Sequence, residues 1–336
     1  MQPFIGLLGS LILANVAAWA WALVVFHDHP VLLGTALLAW SLGLRHAVDA
    51  DHIAAIDNVT RKLMQAGRRS ITVGLFFALG HSAVVALVVA GLAAATPLLG
   101  GRLESVKEFG GLVGTLASAL FLFAIATVNL LILGSLWRIY RRVRAGGSYA
   151  AEDLDAVLRD GGFLVRLCRP LFGLISRPWH MLLLGFLFGL GFDTATEVAL
   201  LGFAASQAAH GLPLWSILVF PALFAAGMSL VDTADGALMA GAYGWAFVKP
   251  VRKLYYNLVI TSVSVVVAVA VGSIEVFGLL RERLGSSGAF WDTIGRLNDN
   301  ADSLGFVIIG VFISIWIGAI AFYRYRRRGE VDAAAD

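Results

Sequence analysis

The chain carries ionisable side chains inside stretches that are otherwise hydrocarbon and long enough to cross a lipid bilayer. A charged carboxylate at the centre of a bilayer costs about 3 kcal/mol even on the more permissive insertion scales. Six of them together cost about 18 kcal/mol, which exceeds the net stability of most folded domains. The chain must offset this cost by pairing, by protonation or by binding a cation. The six carboxylates are Asp49, Asp51, Asp193, Glu197, Asp232 and Asp235.

The composition is that of a membrane protein. Apolar residues make up 59% of the chain, charged residues make up 14%, and the mean hydropathy is +0.83. Water-soluble globular domains do not reach such values. Eight stretches have the length of about 20 residues that a helix needs to span a bilayer, so we predict an all-α polytopic integral membrane protein. The predicted spans are 3–26, 31–57, 70–97, 109–137, 180–207, 213–246, 254–280 and 303–324.

The longest polar interval, residues 138–179, divides the chain into two groups of four spans. Residues 1–137 hold transmembrane helices one to four, and residues 180–324 hold helices five to eight. The interval itself is predicted to be a cytoplasmic loop that includes a short helix on the membrane surface, because apolar residues are mixed with basic ones in its second half. Residues 325–336 form a predicted cytoplasmic tail.

The positive charges between the predicted spans indicate the orientation. Nineteen Lys and Arg residues, Arg61 among them, fall in one set of loops and five fall in the other, so the first set is expected to be cytoplasmic. Both termini are then cytoplasmic, and we predict a multi-pass protein of the plasma (inner) membrane. Basic loops beside anionic lipid headgroups account for the pI of 9.2 without a nucleic-acid partner.

Predicted span two contains the pattern H-x-x-x-x-D-H, formed by His46, Asp51 and His52, with Asp49 inside it. On a continuous helix that turns about 100° per residue, His46, Asp49 and His52 share one arc of about 120°. Asp51 points elsewhere, toward Arg45 or toward a second helix. Four such residues within seven positions are hard to explain as polar groups that merely join helices, so we interpret them as candidate metal ligands.

Three further spans bring polar groups to a similar depth. His81 lies near the middle of span three, and two acidic pairs lie in spans five and six at helical spacing. A single histidine in a membrane helix is as often a hydrogen-bonding strut as a ligand. Four spans that deliver polar groups to one layer instead predict a metal site near the bilayer midplane. The supporting residues on this predicted path are Arg45, Ser82, Asp193, Thr194, Thr196, Glu197, Asp232, Thr233 and Asp235, with Gly185, Gly189 and Gly191 allowing close helix approach.

The sixth stretch is too long for a straight span. Residues 213–246 would extend about 51 Å as a helix, whereas the hydrocarbon core is about 30 Å thick. Pro221 and the glycines that follow, such as Gly227 and Gly236, offer places for a bend or a break. We predict a broken helix, with a helix that protrudes into the cytoplasm as the alternative.

Imidazoles and carboxylates are the ligands of a divalent transition metal. Calcium and magnesium prefer shells of oxygen alone, whereas three histidines favour nickel, cobalt, zinc, copper or iron. Nitrogen and oxygen ligands suit Ni(II) and Co(II), while Zn(II) and Fe(II) stay open on this chemistry. The one cysteine, Cys168, lies in the predicted cytoplasmic loop, so a thiolate site within one chain is excluded.

The energy source is expected to be a membrane potential or an ion gradient. The sequence has no Walker A motif, so the chain itself does not bind ATP in that way, and nothing in it implies an ATPase subunit. We expect a transporter rather than an enzyme, with no prosthetic group and with the metal ion and the lipid bilayer as its partners.

The segment from Arg45 to Ile53, RHAVDADHI, resembles the signature of the NiCoT family of nickel/cobalt permeases. Matches at Gly80-His81-Ser82, at 190–197 and at 227–236 follow in the expected order, so the resemblance covers spans two to six. Ala83 departs from the pattern, which has Ser or Thr there. The resemblance implies an eight-helix protein for uptake of Ni(II), Co(II) or both. It implies recognition by His46, Asp49, Asp51, His52 and His81.

Three other functions compete with uptake. A metal exporter would use the same ligands, but such exporters often carry a long His-rich loop, which this chain lacks. A membrane haem redox protein could use the histidines as axial ligands, although six nearby carboxylates disfavour a porphyrin pocket. An intramembrane metallohydrolase would be expected to show H-E-x-x-H, which is absent. His27 and His29 in the first outer loop are either solvated loop residues or metal-capturing groups.

Overall fold

The computed structural model describes residues 2–68, 70–95, 102–145, 175–190, 211–246 and 250–332, and the regular elements in those ranges are helices. In chain order they are α1 (Gln2–Phe26), α2 (Pro30–His46), α3 (Ala50–Gln65), α4 (Val73–Ala95), α5 (Arg102–Arg144), a 3₁₀ turn (Pro178–His180), α6 (Met181–Gly189), α7 (Leu214–Ile217), α8 (Val219–Ala246), α9 (Pro250–Leu284), α10 (Ala289–Asp299) and α11 (Ala301–Asp332).

The described helices confirm an all-α, multi-pass membrane protein. Six of them are long and apolar enough to cross a membrane, and α2 with α3 forms a bent pair that brings the number to seven. The predicted fifth span begins with the apolar segment Pro178–Gly189, and its remainder lies outside the described residues. The described helices therefore do not confirm a total of eight. The surface helix predicted within 138–179 falls on residues 146–174, also outside the described part, and α5 continues to Arg144.

Span two is not the continuous helix that the sequence analysis assumed. α2 ends at His46, α3 begins at Ala50, and their axes differ by 52°. Asp49 has an extended backbone between them, with φ −61° and ψ 146°. The break packs against α11, because a Cβ atom added at Gly305 would lie 1.5 Å from the Val48 carbonyl oxygen. The bend places two helix ends, rather than one helix face, at the centre of the protein.

The sixth stretch is not broken at Pro221, Gly227 or Gly236, the places that the sequence offered; its interruption within the described residues lies at Leu218, between α7 and α8. α8 is one helix from Val219 to Ala246, and it continues through Gly227 and Gly236. Pro221 lies in its first turn, where the backbone N–H groups have no partner within the helix, so a proline is tolerated. The glycines serve packing instead: a Cβ at Gly227 would lie 2.7 Å from the Trp40 carbonyl oxygen. α8 packs against α1, α2, α3 and α4 and is the central helix of the described bundle.

Glycines also bring α4 and α6 together. A Cβ at Gly80 would lie 1.9 Å from the Leu182 carbonyl oxygen, and a Cβ at Gly185 would lie 2.0 Å from that of Phe77. Gly189 faces the His81 carbonyl oxygen in the same way, at 2.8 Å. The close approach expected of Gly185 and Gly189 is thus confirmed, while Gly191 lies outside the described residues. This packing fixes the depth of His81 relative to its neighbours.

The C-terminal end of span two extends further than predicted. The sequence analysis ended the span at residue 57 and counted Arg61 among the cytoplasmic loop residues. That assignment is wrong, because α3 continues to Gln65 and Arg61 is buried, with 2% of its surface exposed. A run of polar side chains on α3 therefore lies inside the bundle.

Candidate metal centre

Three imidazoles meet inside the bundle. His46 is the last residue of α2, His52 lies in the first turn of α3, and His81 lies in the middle of α4. All three are buried, and one ring nitrogen of each lies within 4.8 Å of the others. The ring centroids are 4.7, 4.8 and 4.9 Å apart, so the rings form a nearly equilateral triangle.

The spacing of two nitrogens suits a shared ion. His46 Nε2 and His81 Nε2 are 3.0 Å apart. Imidazole nitrogens bind divalent transition metals at about 2.0–2.1 Å, so two of them at a right angle on one ion would be about 3.0 Å apart. Right angles between neighbouring ligands are those of square-planar and octahedral coordination, which Ni(II) adopts with nitrogen and oxygen ligands. The distance between the two nitrogens fits two adjacent ligands of such an ion, as well as a hydrogen bond between the rings.

Asp49 orients one of these imidazoles. Its Oδ2 atom lies 2.7 Å from His46 Nδ1, and both side chains are buried. When the protonated Nδ1 donates a hydrogen bond to the carboxylate, Nε2 is unprotonated and its lone pair faces the other histidines. A carboxylate behind a histidine in this way fixes its tautomer and raises its basicity as a metal ligand. The break in span two makes the contact, because Asp49 lies in the extended link just after α2.

Acidic and hydroxyl groups of α8 lie on the other side of the centre. Asp232 Oδ1 is 3.4 Å from His52 Nδ1, and both residues are fully buried. Within the described part of the chain, the second oxygen of Asp232, both carboxylate oxygens of Asp235 and the hydroxyl of Thr233 lack hydrogen-bond partners. The hydroxyl of Ser82, beside His81, is likewise buried without one. Buried carboxylates without partners are costly in the charged form, and either protonation or a nearby cation offsets that cost.

Asp51 and Arg45 are not members of the three-histidine cluster, and other predicted residues lie outside the described chain. Asp51 is partly exposed and lines a cavity of about 50 Å³ with Asp49, Glu275 and Asn298. Arg45 is exposed. The predicted residues of span five, namely Asp193, Thr194, Thr196 and Glu197, lie outside the described part of the chain.

The sequence analysis missed a second buried polar group of residues on α3. Asp57 accepts hydrogen bonds from the hydroxyls of Tyr243 and Ser264, the latter at 2.9 Å. Arg61 donates to the Asn58 carboxamide oxygen at 2.8 Å and to the Thr261 hydroxyl at 2.7 Å. Asn129 of α5 also donates to Asn58. The i, i+4 spacing of Asp57 and Arg61 was the available signal, since it places both on one side of a helix.

These features define a multi-pass helical membrane protein with a buried centre of three histidines, surrounded by carboxylates. The sequence pattern of the NicO family, described as high-affinity nickel-transport protein, matches residues 32–322. The chain belongs to this family, and the family resemblance seen in the motifs is confirmed. No solved structure matches the chain.

Several characterised relatives are similar over most of their length. The high-affinity nickel transport protein of Cupriavidus necator is 59% identical over 330 residues, which cover 98% of this chain and 94% of the relative. The hydrogenase nickel incorporation protein HupN of Bradyrhizobium diazoefficiens is 55% identical, with coverage of 95% and 83%. The cobalt transport protein NhlF of Rhodococcus rhodochrous is 43% identical, with coverage of 87% and 83%.

Proposed function

We propose that the protein takes up Ni(II), Co(II) or both across the plasma (inner) membrane through the three-histidine centre. The observation that carries this proposal is the set of three buried imidazoles, from three helices, with ring nitrogens within 4.8 Å of one another. The names of the relatives, which include nickel and cobalt transport proteins, support the same ions.

The site recognises the ion through its nitrogens and accommodates its charge through the carboxylates. His46, His52 and His81 bind the ion as neutral imidazoles, and Asp49 holds His46 in the tautomer that binding requires. Asp232, which lies against His52, balances part of the double positive charge. Binding to these groups competes with protons, so affinity falls as the pH is lowered.

The driving force in this proposal is electrical. With both termini in the cytoplasm and the inside negative, a divalent cation gains about 4.6 kcal/mol per 100 mV on moving inward, twice the value for a single charge. No ATP is consumed by the chain. The ion enters from outside, reaches the centre where α2 and α3 meet, and leaves toward the cytoplasmic ends of α3 and α8.

A haem is disfavoured by the same geometry. The three rings contact one another with centroids less than 5 Å apart, whereas axial ligands of a haem lie on opposite faces of the porphyrin and are separated by it.

Uptake of radioactive nickel by cells that lack their own nickel transporter tests the proposal. We expect His46→Ala, His52→Ala and His81→Ala each to lower uptake at limiting nickel by about tenfold or more, because each removes a ligand. His180→Ala is the matched control, since His180 lies outside the cluster, and it should transport normally at equal expression. Near wild-type uptake by any of the three variants would contradict the assignment. Faster nickel loss from preloaded cells would indicate export.

A further inference from the structure

α3 and α8 run side by side, in the same direction, away from the histidine centre. His52 of α3 faces Asp232 of α8, and further along a Cβ at Gly236 would lie 3.4 Å from Ile56. Near the helix ends, a Cβ at Gly244 would lie 3.8 Å from Met64. The orientation predicted from the loop charges assigns these ends to the cytoplasm. The seam between the two helices thus leads from the centre toward the inner side.

Three carboxylates follow one another along this seam. At a helical rise of about 1.5 Å per residue, Asp235 lies about 4.5 Å further along α8 than Asp232, and Asp57 lies about 7.5 Å further along α3 than His52. Among the described residues, the negative charges of Asp57 and Asp232 both act on Asp235. The carboxylates therefore form a series that begins at the histidines and leads inward.

Two members of this series are buried without hydrogen-bond donors. Asp235 is 6% exposed, and neither of its oxygens has a partner within the described residues. The Oδ2 atom of the fully buried Asp232 also lacks a hydrogen-bond partner within the described residues. Burying a charged oxygen in this way is costly unless a cation neutralises it. Asp57 differs, since the hydroxyls of Tyr243 and Ser264 hold it in place.

A fixed positive charge lies at the far end of the series. Arg61 is one helical turn beyond Asp57 and is buried, and its charge acts on the Asp57 carboxylate. Its guanidinium donates hydrogen bonds to two neutral acceptors, the Thr261 hydroxyl and the Asn58 carboxamide oxygen. The guanidinium is thus held near Asp57 without occupying the carboxylates between it and the histidines.

We propose that Asp235 and Asp57, together with Asp232 at the edge of the histidine centre, form a second, weaker site for the transported divalent ion, and that the charge of Arg61 promotes release from it. This inference rests on the proposed uptake function. Oxygen ligands alone hold Ni(II) and Co(II) less tightly than imidazoles do. Conduction requires sites that bind strongly enough to admit an ion and weakly enough to let it leave. In this proposal the ion passes from nitrogen ligands, which bind it tightly, to oxygen ligands, which bind it less tightly. The positive charge of Arg61 then repels it and favours its release.

Nickel titration of the full-length protein in lipid nanodiscs tests the second site, with radioactive Ni²⁺ in equilibrium dialysis as the probe. We expect wild type to show a tight and a weaker class of site. Asp235→Asn should weaken the weaker class by about tenfold or more, because a charged ligand is lost, while the tight class changes less. Nickel uptake by the same variant should show a maximal rate lowered by a similar factor.

Arg61→Gln should act in the opposite direction on affinity. Removing the guanidinium should tighten the weaker class by about tenfold, because the repulsion between two cations is lost, and slow release should again lower the maximal rate. Opposite shifts in affinity with the same loss of rate do not arise from misfolding. Glu282→Gln is the control, an exposed carboxylate on α9 that should change neither quantity.

A single class of site in wild type would overturn the inference, as would an Asp235→Asn variant with an unchanged weaker class and rate. Should Asp235→Asn fail to fold, Asp57→Asn is measured in its place under the same criteria. The two proposals fail differently. If wild type takes up neither nickel nor cobalt, the proposed function fails. If wild type transports and these variants do not differ from it, the proposed function stands and the second site alone fails.

Discussion

The break in span two should depend on the glycine that it packs against. A Cβ atom at Gly305 would lie 1.5 Å from the Val48 carbonyl oxygen, whereas carbon and oxygen atoms that are not bonded stay about 3.4 Å apart. Gly305→Ala must therefore separate α11 from the break by about 2 Å, or shift the break itself. Metal–ligand distances tolerate only about 0.2 Å, so a shift that reaches Asp49 and His46 should spoil the centre.

We expect Gly305→Ala to weaken nickel binding by about tenfold or more, which corresponds to about 1.4 kcal/mol. The measurement is nickel titration of purified protein, together with uptake at limiting nickel. Gly310→Ala is a matched control on the same helix, because nothing lies within 4 Å of a Cβ there. It should bind normally and be as stable as wild type or more so, since alanine favours a helix over glycine by about 1 kcal/mol. Wild-type affinity in Gly305→Ala would refute the view that α11 holds the break in place.

Three further predictions concern the centre and its driving force. Asp49→Asn should weaken nickel binding by about 10–100-fold, because His46 loses the charged acceptor that orients it, and titration of the purified variant would show this. When other metals compete with the uptake of labelled nickel, Co(II) should inhibit at a lower concentration than Mn(II), because nitrogen ligands generally bind Co(II) more tightly than Mn(II). Equal inhibition by the two metals would contradict ligation by imidazoles. Collapsing the membrane potential with valinomycin and potassium should lower the initial uptake rate, and an unchanged rate would contradict an electrical driving force.

The convergence of the three histidines was accessible from the sequence because it depends on depth. A side chain near the middle of a predicted span lies near the bilayer midplane whichever way the helix faces, and this places His81 level with the histidines of span two. The glycines that flank these positions indicated close packing, and Gly185 and Gly189 provide it. Composition and periodicity were sufficient for both.

The bend in span two was not accessible, because helical periodicity assumes a straight helix. On such a helix His46, Asp49 and His52 share a face, and the prediction grouped them correctly while giving the wrong reason. The reason in the structure is that α2 ends at His46 and Asp49 turns back onto its ring. The break packs closely against α11 at Gly305, and such a contact between distant helices is not visible in local periodicity.

Arg61 shows a second limit of sequence reasoning. A positive charge after an apolar stretch is normally a sign that the span has ended, and the loop count treated it so. In the structure the charge is buried and bonded to Asn58 and Thr261, so the polar path continues into what had been assigned to the loop. Side-chain partners supplied by distant helices, here α9, cannot be inferred from local composition.

X-ray absorption at the nickel edge of the loaded protein tests most directly whether the histidines bind the transported ion. We predict a first shell of nitrogen and oxygen at about 2.0–2.1 Å, with the outer scattering of three imidazoles, and the loss of one imidazole in His81→Ala. A spectrum without imidazole scattering, or one that His81→Ala leaves unchanged, would contradict the account.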